Sequence, residues 1–506
     1  MPGQLLPRPT SVSPTPVAAV LDMVGAAVRG AVGDGWVTGV THDSRSVRPA
    51  DLYAALPGSV RHGAEFADAA VGAGATAILT DDAGAAMVTA DVPVLVVDRP
   101  RRVLGKVAAA IYGNPTERLK VLGVTGTSGK TTTAYLLEAG LVQAGHRTGV
   151  IGTVETRYGD IRLPSAHTTP EAPDLQALFA VMLENGVTAV AAEVSSHALA
   201  QGRADGIAFA VGGFANLSAD HLDYHADMED YFAAKALLFD GRARREVVNI
   251  DDAYGRRLVG DDTITVSTTQ PASWYATDVD TSAVPQTFTV HGDKTYQGQV
   301  QLPGPFNVDN AMLAIAMLVA AGIDPATAVD GVASCQGVPG RLQRIGADTR
   351  PDLLSVVDYA HKPDAVAAVL TALRPVTRGK LIAVLGCGGD RDTAKRPLMG
   401  AAGALGADVL IITDDNPRSE DPAAIRAAAL AGAATVAADQ RAQVLEIGDR
   451  AEAITRAVQL AEPGDTVAIL GKGHEPYQEI GGQVFAFDDR EELDRALHAT
   501  NGKVHA

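Results

Sequence analysis

The residues best equipped for chemistry lie in one short run, Gly126-Thr127-Ser128-Gly129-Lys130-Thr131-Thr132. Its glycines let backbone N–H groups turn toward a phosphate, and Lys130 brings a point charge for β- and γ-phosphates. Thr131 offers a hydroxyl to Mg2+. The run departs from the strict G-x-x-x-x-G-K-[ST] loop, because Gly123 lies one position too far from the Gly-Lys pair and Gly126 too close. An apolar strand, Leu119 to Val124, precedes it; a helix from Lys130 to about Ala144 follows, stopped by Gly145. Strand, turn, Gly-Lys-Thr-Thr and helix in that order predict a phosphate loop that binds ATP. The plain alternative is a glycine-rich turn with a chance lysine.

Three further sets of residues fit around such a loop. Glu193 ends the apolar stretch Val187 to Ala192, just before Ser195-Ser-His197. In a parallel sheet the carboxyl end of a neighbouring strand faces the loop, so Glu193 is a candidate Mg2+ ligand, or else a solvated loop acid. Asn216-Leu-Ser-Ala-Asp-His-Leu-Asp-Tyr-His225 packs two His and two Asp into a short stretch; taken alone, a surface loop explains it as well as a ligand set. Lys235 follows within Tyr231-Phe-Ala-Ala-Lys-Ala-Leu-Leu-Phe239, flanked by apolar helix positions where a lysine ordinarily snorkels to solvent. Gly386-Cys-Gly-Gly follows a strand and looks faintly dinucleotide-like, but it is not G-x-G-x-x-G.

The elements that must hold these residues read as α/β throughout. The length of 506 residues suggests about three domains. Residues 1–16 read as a disordered Pro- and Ser-containing tail. Residues 17–117 read as a small α/β domain, with a helix Phe66 to Gly72 and strands Ala75 to Leu79 and Val92 to Val97. Residues 118–342 read as a central phosphate-loop domain on a parallel sheet, with strands at Val187 to Ala192, Phe209 to Phe214 and Glu246 to Ile250. Within it, Ile264 to Leu302 alternates and predicts a small antiparallel sheet, followed by a helix over Asn307 to Ala321. Residues 343–506 read as a Rossmann-like doubly wound domain with strands at Leu353 to Val357, Leu381 to Leu385, Val409 to Ile412 and Val467 to Leu470.

Composition excludes several classes. A net charge of -18, from 42 Lys+Arg against 60 Asp+Glu, repels nucleic acid and anionic membrane. The two cysteines, Cys335 and Cys387, form no CxxC pair, which fits a reducing compartment. The longest apolar run, near Ala311 to Ala321, is too short to span a bilayer, and the start of the chain has no signal-peptide pattern. A cytoplasmic protein is expected.

Taken together, Gly-Thr-x-Gly-Lys-Thr-Thr, Glu193-Val-Ser-Ser-His197, Asn216 to His225 and Ala233-Ala-Lys235 resemble the Mur ligases, the ATP-dependent amino-acid-adding enzymes of peptidoglycan synthesis. Asp358-Tyr-Ala-His361, Gly386-Cys-Gly-Gly-Asp-Arg391, Asp415-Asn-Pro-Arg418 and Gly471-Lys-Gly-His-Glu475 extend the resemblance from His42 to Glu475, nearly the whole chain. Asp-Asn-Pro-Arg points to the diaminopimelate-adding branch. A lysine-adding relative and folylpolyglutamate synthase are the nearest alternatives.

The resemblance implies roles. ATP would be held by Gly126 to Thr132, with Asn307 and Asn310 near the adenine and Arg341 and Asp358 reaching it from across a cleft. Lys130, Glu193, His221 and Lys235 would be catalytic. Thr131 and Glu193 would hold one Mg2+, and His221 and a carbamylated Lys235 would serve a second. A nucleotide-sugar substrate, UDP-N-acetylmuramoyl-L-Ala-D-Glu, would rest on His42, Ser44, Ser59, Val60 and Arg61, then on His167, Thr168, Thr169, Ser195, Gln201 and Arg203. His167 and Ser128 stand where relatives often carry Asn. The incoming meso-diaminopimelate would meet Arg391, Asp415, Asn416, Pro417, Arg418, Gly471 and Glu475, since an arginine fork matches its extra carboxylate. A monomer that closes its domains around three substrates is expected.

Overall fold

The computed structural model describes residues 6–58, 60–163, 167–390 and 392–504, the last four as backbone. The chain divides into two compact units. One comprises Met1–Tyr275, His291–Lys294 and Asp309–Val332; the other comprises Ala276–Val290, Thr295–Val308 and Ala333–Ala506.

Two sheets organise the first unit, beside the short pair Thr15–Pro16 and Trp36–Val37. The smaller has five strands in the order Ala27–Arg29, Val94–Val96, Ala75–Thr80, Asp51–Ala54, Gly39–Thr41. All neighbours but the first pair run parallel. Its core joins Leu52, Leu79 and Leu95 to Leu104 and Ile111 of the helix Pro100–Ile111, and reaches Ala177 and Ala180 of the helix Ala172–Glu184. That shared core welds the small sheet to the larger one.

In the larger sheet, Lys120–Thr125 lies between Ala189–Glu193 and Phe209–Phe214, parallel to both. Thr148–Ile151 and Glu246–Asn249 continue the sheet on either side, also parallel. Both faces of these strands are covered, so they are near-continuous apolar runs, the composition that a buried parallel sheet requires. The helix Lys130–Gln143 is buried around most of its circumference, as its unbroken Ala-Tyr-Leu-Leu run demands. Chain order jumps on either side of Lys120–Thr125, and such a switch point opens a crevice at the carboxyl ends of the strands.

Two sequence expectations are corrected. Ile264–Ser267 pairs in parallel with Glu246–Asn249 and with the start of Trp274–Asp280, so the alternating stretch begins by extending the main sheet rather than an antiparallel one. Residues 6–16 are not a disordered tail: Thr15–Pro16 pairs with Trp36–Val37, and Arg8 bonds Asp51. Fixed acceptors elsewhere in the fold hold this stretch, and its own composition carries no sign of them.

The second unit centres on a six-stranded sheet in the order Gln343–Arg344, Leu354–Asp358, Thr466–Leu470, Leu381–Cys387, Val409–Asp414, Gln443–Glu446. All pairs but the first are parallel. Two apolar clusters cover its faces, one around Leu370, Leu385 and Leu410, the other around Val384, Ile454 and Leu497. Among the described residues no helix is long and apolar enough to cross a membrane.

Candidate active site

In the first unit, three strand ends converge on the predicted loop. Thr125 leads into it, Glu193 ends the strand on one side, and Phe214 leads to Asn216 on the other. Gly129 takes φ +83°, and a Cβ there would lie 2.2 Å from Asn310 Oδ1, so only glycine fits at the start of the helix. Asn310 also accepts the Thr133 hydroxyl at 3.5 Å. The helix therefore begins at Lys130 with its first N–H groups directed into the crevice.

The loop is clamped from the Phe214 side. Asn216 Oδ1 accepts Ser128 N–H at 2.9 Å and its Nδ2 donates to Ser128 O at 3.2 Å. Its carbonyl accepts Thr127 N–H at 3.0 Å. Thr127 Oγ1 lies 3.1 Å from the Tyr231 hydroxyl. Lys130 Nζ donates to the carbonyls of Gly126 and Thr127 at 2.6 and 2.9 Å. Lys235 Nζ donates to the same Gly126 carbonyl at 2.8 Å, across 109 positions of sequence.

Lys235 is 1% exposed and does not snorkel. Burial, and then the nearby Lys130 charge, push its pKa well below the ordinary lysine value. Both shift Lys235 toward the neutral amine, the form that can take up CO2. The fit to a carbamylated metal ligand is therefore chemically sound.

Glu193 is 1% exposed, and its carboxylate accepts three bonds. They come from Thr131 Oγ1 at 3.0 Å, Thr153 N–H at 2.8 Å and Thr153 Oγ1 at 3.1 Å. Hydroxyl and carboxylate oxygens side by side at a phosphate loop form the hard donor set that Mg2+ takes. His221 adopts φ +55°. Its ring packs edge-on to His197 at 4.9 Å and near Tyr231 at 6.0 Å. His225, the second histidine of the dense motif, is instead buried between Ser196 Oγ at 3.0 Å and Asp230 Oδ2 at 3.2 Å.

Of the residues expected to carry the nucleotide-sugar, Thr168, Thr169, Ser195, Gln201 and Arg203 are linked through hydrogen bonds beside Glu193. Thr168 Oγ1 lies 3.0 Å from Thr153 Oγ1. Thr169 Oγ1 donates to Glu193 O at 2.9 Å and accepts Ser195 N–H at 3.1 Å. Arg203 donates to Gln201 Oε1 at 2.7 Å and pairs with Glu171 at 3.0 Å, and Arg101 reaches the same carboxylate at 2.7 Å. The two arginines hold Glu171 below the usual carboxylate pKa in spite of its burial. His167 and Val60 are exposed. Arg61 lies over the Phe66 ring at 4.6 Å. Ser44 opens a short turn capped by Asp43. Ser59 lies outside the described residues.

The second unit has its own cleft at the carboxyl ends of its strands. Gly386, Asp415, Asn416, Arg418, Gly471 and Glu475 line it, with Tyr359, His361 and Lys395. Asn416 Nδ2 donates to Glu475 Oε2 at 2.9 Å, and Lys472 Nζ donates to Asn416 Oδ1 at 3.1 Å. Lys472 is fully buried. Arg418 sits at φ +54° and donates to the Gly389 carbonyl at 2.6 Å, with Glu479 at 3.4 Å. Burial raises the Glu475 carboxyl, Lys472 opposes the rise, and Asp415 adds to it. Beneath the cleft a buried Arg450–Asp489 pair at 2.7 Å holds the Asp414 and Leu470 carbonyls. Arg391 lies outside the described residues.

Asp358 belongs to this unit and accepts Leu342 N–H at 2.7 Å and Ala360 N–H at 2.8 Å. Arg341 places its guanidinium over the Tyr359 ring at 4.8 Å, with Nε buried and lacking an acceptor among the described residues. Of the expected adenine residues, Asn310 falls in the first unit and Asn307 in the second, where its Nδ2 donates to Pro303 O at 2.7 Å.

Sequence reasoning missed Asn216, Thr153, Tyr231 and Lys472 as site residues. Asn216, Tyr231 and Lys472 lay inside motifs already singled out, without a role of their own; Thr153 carries no local signal.

Three family models match the chain. They are the Mur ligase family catalytic domain over residues 37–112, the Mur ligase middle domain over 124–318 and the Mur ligase glutamate ligase domain over 340–473. The UDP-N-acetylmuramoyl-L-alanyl-D-glutamate–2,6-diaminopimelate ligase of Streptomyces coelicolor is 55% identical over 505 residues, covering 98% of this chain and 99% of its own. The protein of the same name from Corynebacterium glutamicum is 50% identical over 483 residues, covering 92% and 93%. A solved UDP-N-acetylmuramoyl-L-alanyl-D-glutamate–2,6-diaminopimelate ligase superposes with a TM-score of 0.73 at 35% identity, covering 95% of this chain and 98% of that one.

Proposed function

The chain belongs to the Mur ligase family, with its three-domain architecture, and from that premise we propose that it joins meso-diaminopimelate to UDP-N-acetylmuramoyl-L-alanyl-D-glutamate at the expense of ATP, as a step in building peptidoglycan precursors. The observation that carries the choice of amino acid is the second unit's cleft. There Arg418 and Glu475 line one cavity with Asn416 between them. The far end of diaminopimelate bears a carboxylate and an ammonium, and a guanidinium fork beside a carboxylate complements both.

The reaction follows from the two sites. The side-chain carboxylate of the D-Glu residue attacks the γ-phosphorus of ATP, and ADP leaves. The resulting acyl phosphate is attacked at carbon by the diaminopimelate amine, and the tetrahedral adduct collapses to amide and inorganic phosphate. Lys130 and the N–H groups at the start of its helix stabilise the charge that gathers on the γ-phosphate. The strip from Thr168 and Thr169 through Ser195 to Arg203 orients the nucleotide-sugar so that its carboxylate meets the loop. Mg2+, when bound, supplies electrostatic neutralisation of the phosphates. Thr131 and Glu193 would hold one ion, and His221 with a carbamylated Lys235 would serve a second. The carbamate would form when the Lys235 amine adds to CO2 and releases a proton, placing an anion beside Lys130. Asn307, Asn310, Arg341 and Asp358 would hold the nucleotide.

A substrate-swap assay tests the reading. ADP should appear only when the UDP-muramoyl dipeptide and an amino acid are both present, with diaminopimelate far better than lysine. Equal turnover with lysine would move the protein to the lysine-adding branch, and ADP release with a folate and glutamate would overturn the assignment.

A further inference from the structure

Residues ahead of the first helix make a set of bonds that the reaction above does not use. Arg8 Nη1 donates to both oxygens of Asp51, at 2.7 and 2.6 Å, and its Nη2 donates to Ser46 O at 3.2 Å. Asp51 is 2% exposed and also accepts Arg48 N–H at 2.8 Å. Ser46 ends the short turn Ser44–Ser46, and Asp51 begins the next strand. One guanidinium therefore pins both ends of the connection that follows His42 and carries Ser44. The neighbouring strand makes room for the pair: a Cβ on Gly39 would lie 2.2 Å from Asp51 Oδ1 and 3.0 Å from Arg8 Nη1.

Two residues later the same segment grips the central domain. Thr10 N–H donates to both Glu184 oxygens at 2.9 and 3.0 Å, and Ser11 N–H to one of them at 3.0 Å. Glu184 is the last residue of the helix Ala172–Glu184. A carboxylate at a helix C-terminus opposes the helix dipole, so this residue gains nothing from its own helix. The incoming N–H groups give it a different purpose. Just ahead of the other end of that helix lies Glu171, the partner of Arg203 and Arg101.

We propose that residues 6–16 form a strap that sets where His42 and Ser44 stand relative to Thr169, Ser195 and Arg203. The strap thereby fixes the nucleotide-sugar at the reach its carboxylate needs to meet the phosphate loop. The inference rests on the reading of those residues given under Proposed function. Arg8 and Glu184 are positioning residues; they act through the turn and touch no substrate. A guanidinium bonded at once to the Asp51 carboxylate and to the Ser46 carbonyl holds orientation as well as distance, which is what a strap requires.

The test uses the full-length chain with Glu184→Ala, Glu184→Gln and Arg8→Gln. Glu184 is the cleaner probe, because removing Arg8 leaves the buried Asp51 charge without its partner. Two readouts are needed: hydrogen exchange across residues 42–48, and KM for each of the three substrates. The strap requires faster exchange at 42–48 in Glu184→Ala and Arg8→Gln, with Glu184→Gln, which keeps an acceptor, closer to the parent. It also requires KM for the nucleotide-sugar to rise, by about tenfold for Arg8→Gln, the loss of one charge-assisted bond, while KM for ATP and for diaminopimelate stays put. Unchanged exchange at 42–48, or three KM values rising together, overturns the strap. A parent protein that releases no ADP with the UDP-muramoyl dipeptide overturns the ligase reading instead, and the exchange comparison still decides the strap.

Discussion

Thr131 and Glu193 stand on different strand–helix units, yet the Thr131 hydroxyl donates to the Glu193 carboxylate at 3.0 Å. The contact exists because Ala189–Glu193 runs parallel to Lys120–Thr125 in a register that sets Glu193 beside Val124. Sheet register thus delivers a carboxylate to the second residue of the loop helix, and the remaining bonds to Glu193 come from Thr153.

Glu193→Gln should keep the fold and lose much of the metal dependence. A glutamine keeps one acceptor oxygen, for the Thr131 and Thr153 hydroxyls or for Thr153 N–H, and carries no charge. The Mg2+ concentration needed for half-maximal ADP release should rise by about 100-fold, the upper range for losing a group that tunes a metal site. Binding of the UDP-muramoyl dipeptide should stay near normal. A Mg2+ titration that overlays the parent's would remove Glu193 from the metal site.

Lys235 yields a test that needs no mutation. Burial and Lys130 shift its amine toward the neutral form, so CO2 is the reagent that would complete it. Protein prepared in CO2-depleted buffer should lose most of its activity and regain it with bicarbonate. Mass analysis of the intact chain under non-acidic conditions should show the added carboxyl group. Full activity with an unmodified lysine would end the carbamate proposal.

Arg418→Lys should raise KM for diaminopimelate by about tenfold, the loss of one charge-assisted bond, with KM for ATP unchanged. Lysine is the right replacement because position 418 sits at φ +54°, so both side chains bear the same backbone strain and only the fork is lost. Steady-state kinetics with each substrate varied in turn decides this. Equal rises in both KM values would mean that Arg418 holds the fold of the cleft rather than the amino acid.

The fold was legible where burial on both faces forced continuous apolar runs. Phe209 to Phe214 was read to the residue, and the four strands expected at Leu353, Leu381, Val409 and Val467 to within about two positions, while the edge strands Gln343–Arg344 and Gln443–Glu446 were not read. Ile264 to Leu302 misled because alternation reports one wet face, and its first strands pair in parallel all the same. The chemistry was legible where types and spacing concentrate it, in Gly126 to Thr132 and around Glu193. Partners joined only by topology were not. Asn216 reaches Ser128 across 88 positions, and Arg8 reaches Asp51 across 43. Lys472 stands within Gly471-Lys-Gly-His-Glu475 with no role assigned from sequence, yet it is fully buried and donates to Asn416 across 56 positions. No local pattern encodes an acceptor supplied by a distant strand.

Glu475 ties binding and stability to pH in opposite senses. Burial raises its carboxyl above the ordinary 4.5, and Lys472 only partly offsets the rise. If the carboxylate receives the diaminopimelate ammonium, protonation removes the counter-charge. KM for diaminopimelate should then climb as pH falls through that raised pKa, by up to about tenfold per unit, and at higher pH than an ordinary glutamate would allow. The stability sign is reversed. The folded state binds this proton more tightly than the unfolded chain, so the carboxyl costs the free enzyme stability as pH rises through the folded pKa. Glu475→Gln removes the titrating group while keeping an acceptor for Asn416. The variant should melt at a higher temperature than the parent at neutral pH, yet show a high, pH-independent KM for diaminopimelate. Kinetics and thermal melts between about pH 5 and 8 measure both. A flat parental KM across that range, or a variant both weaker in binding and less stable, would mean that Glu475 is held for structure and that another group receives the ammonium.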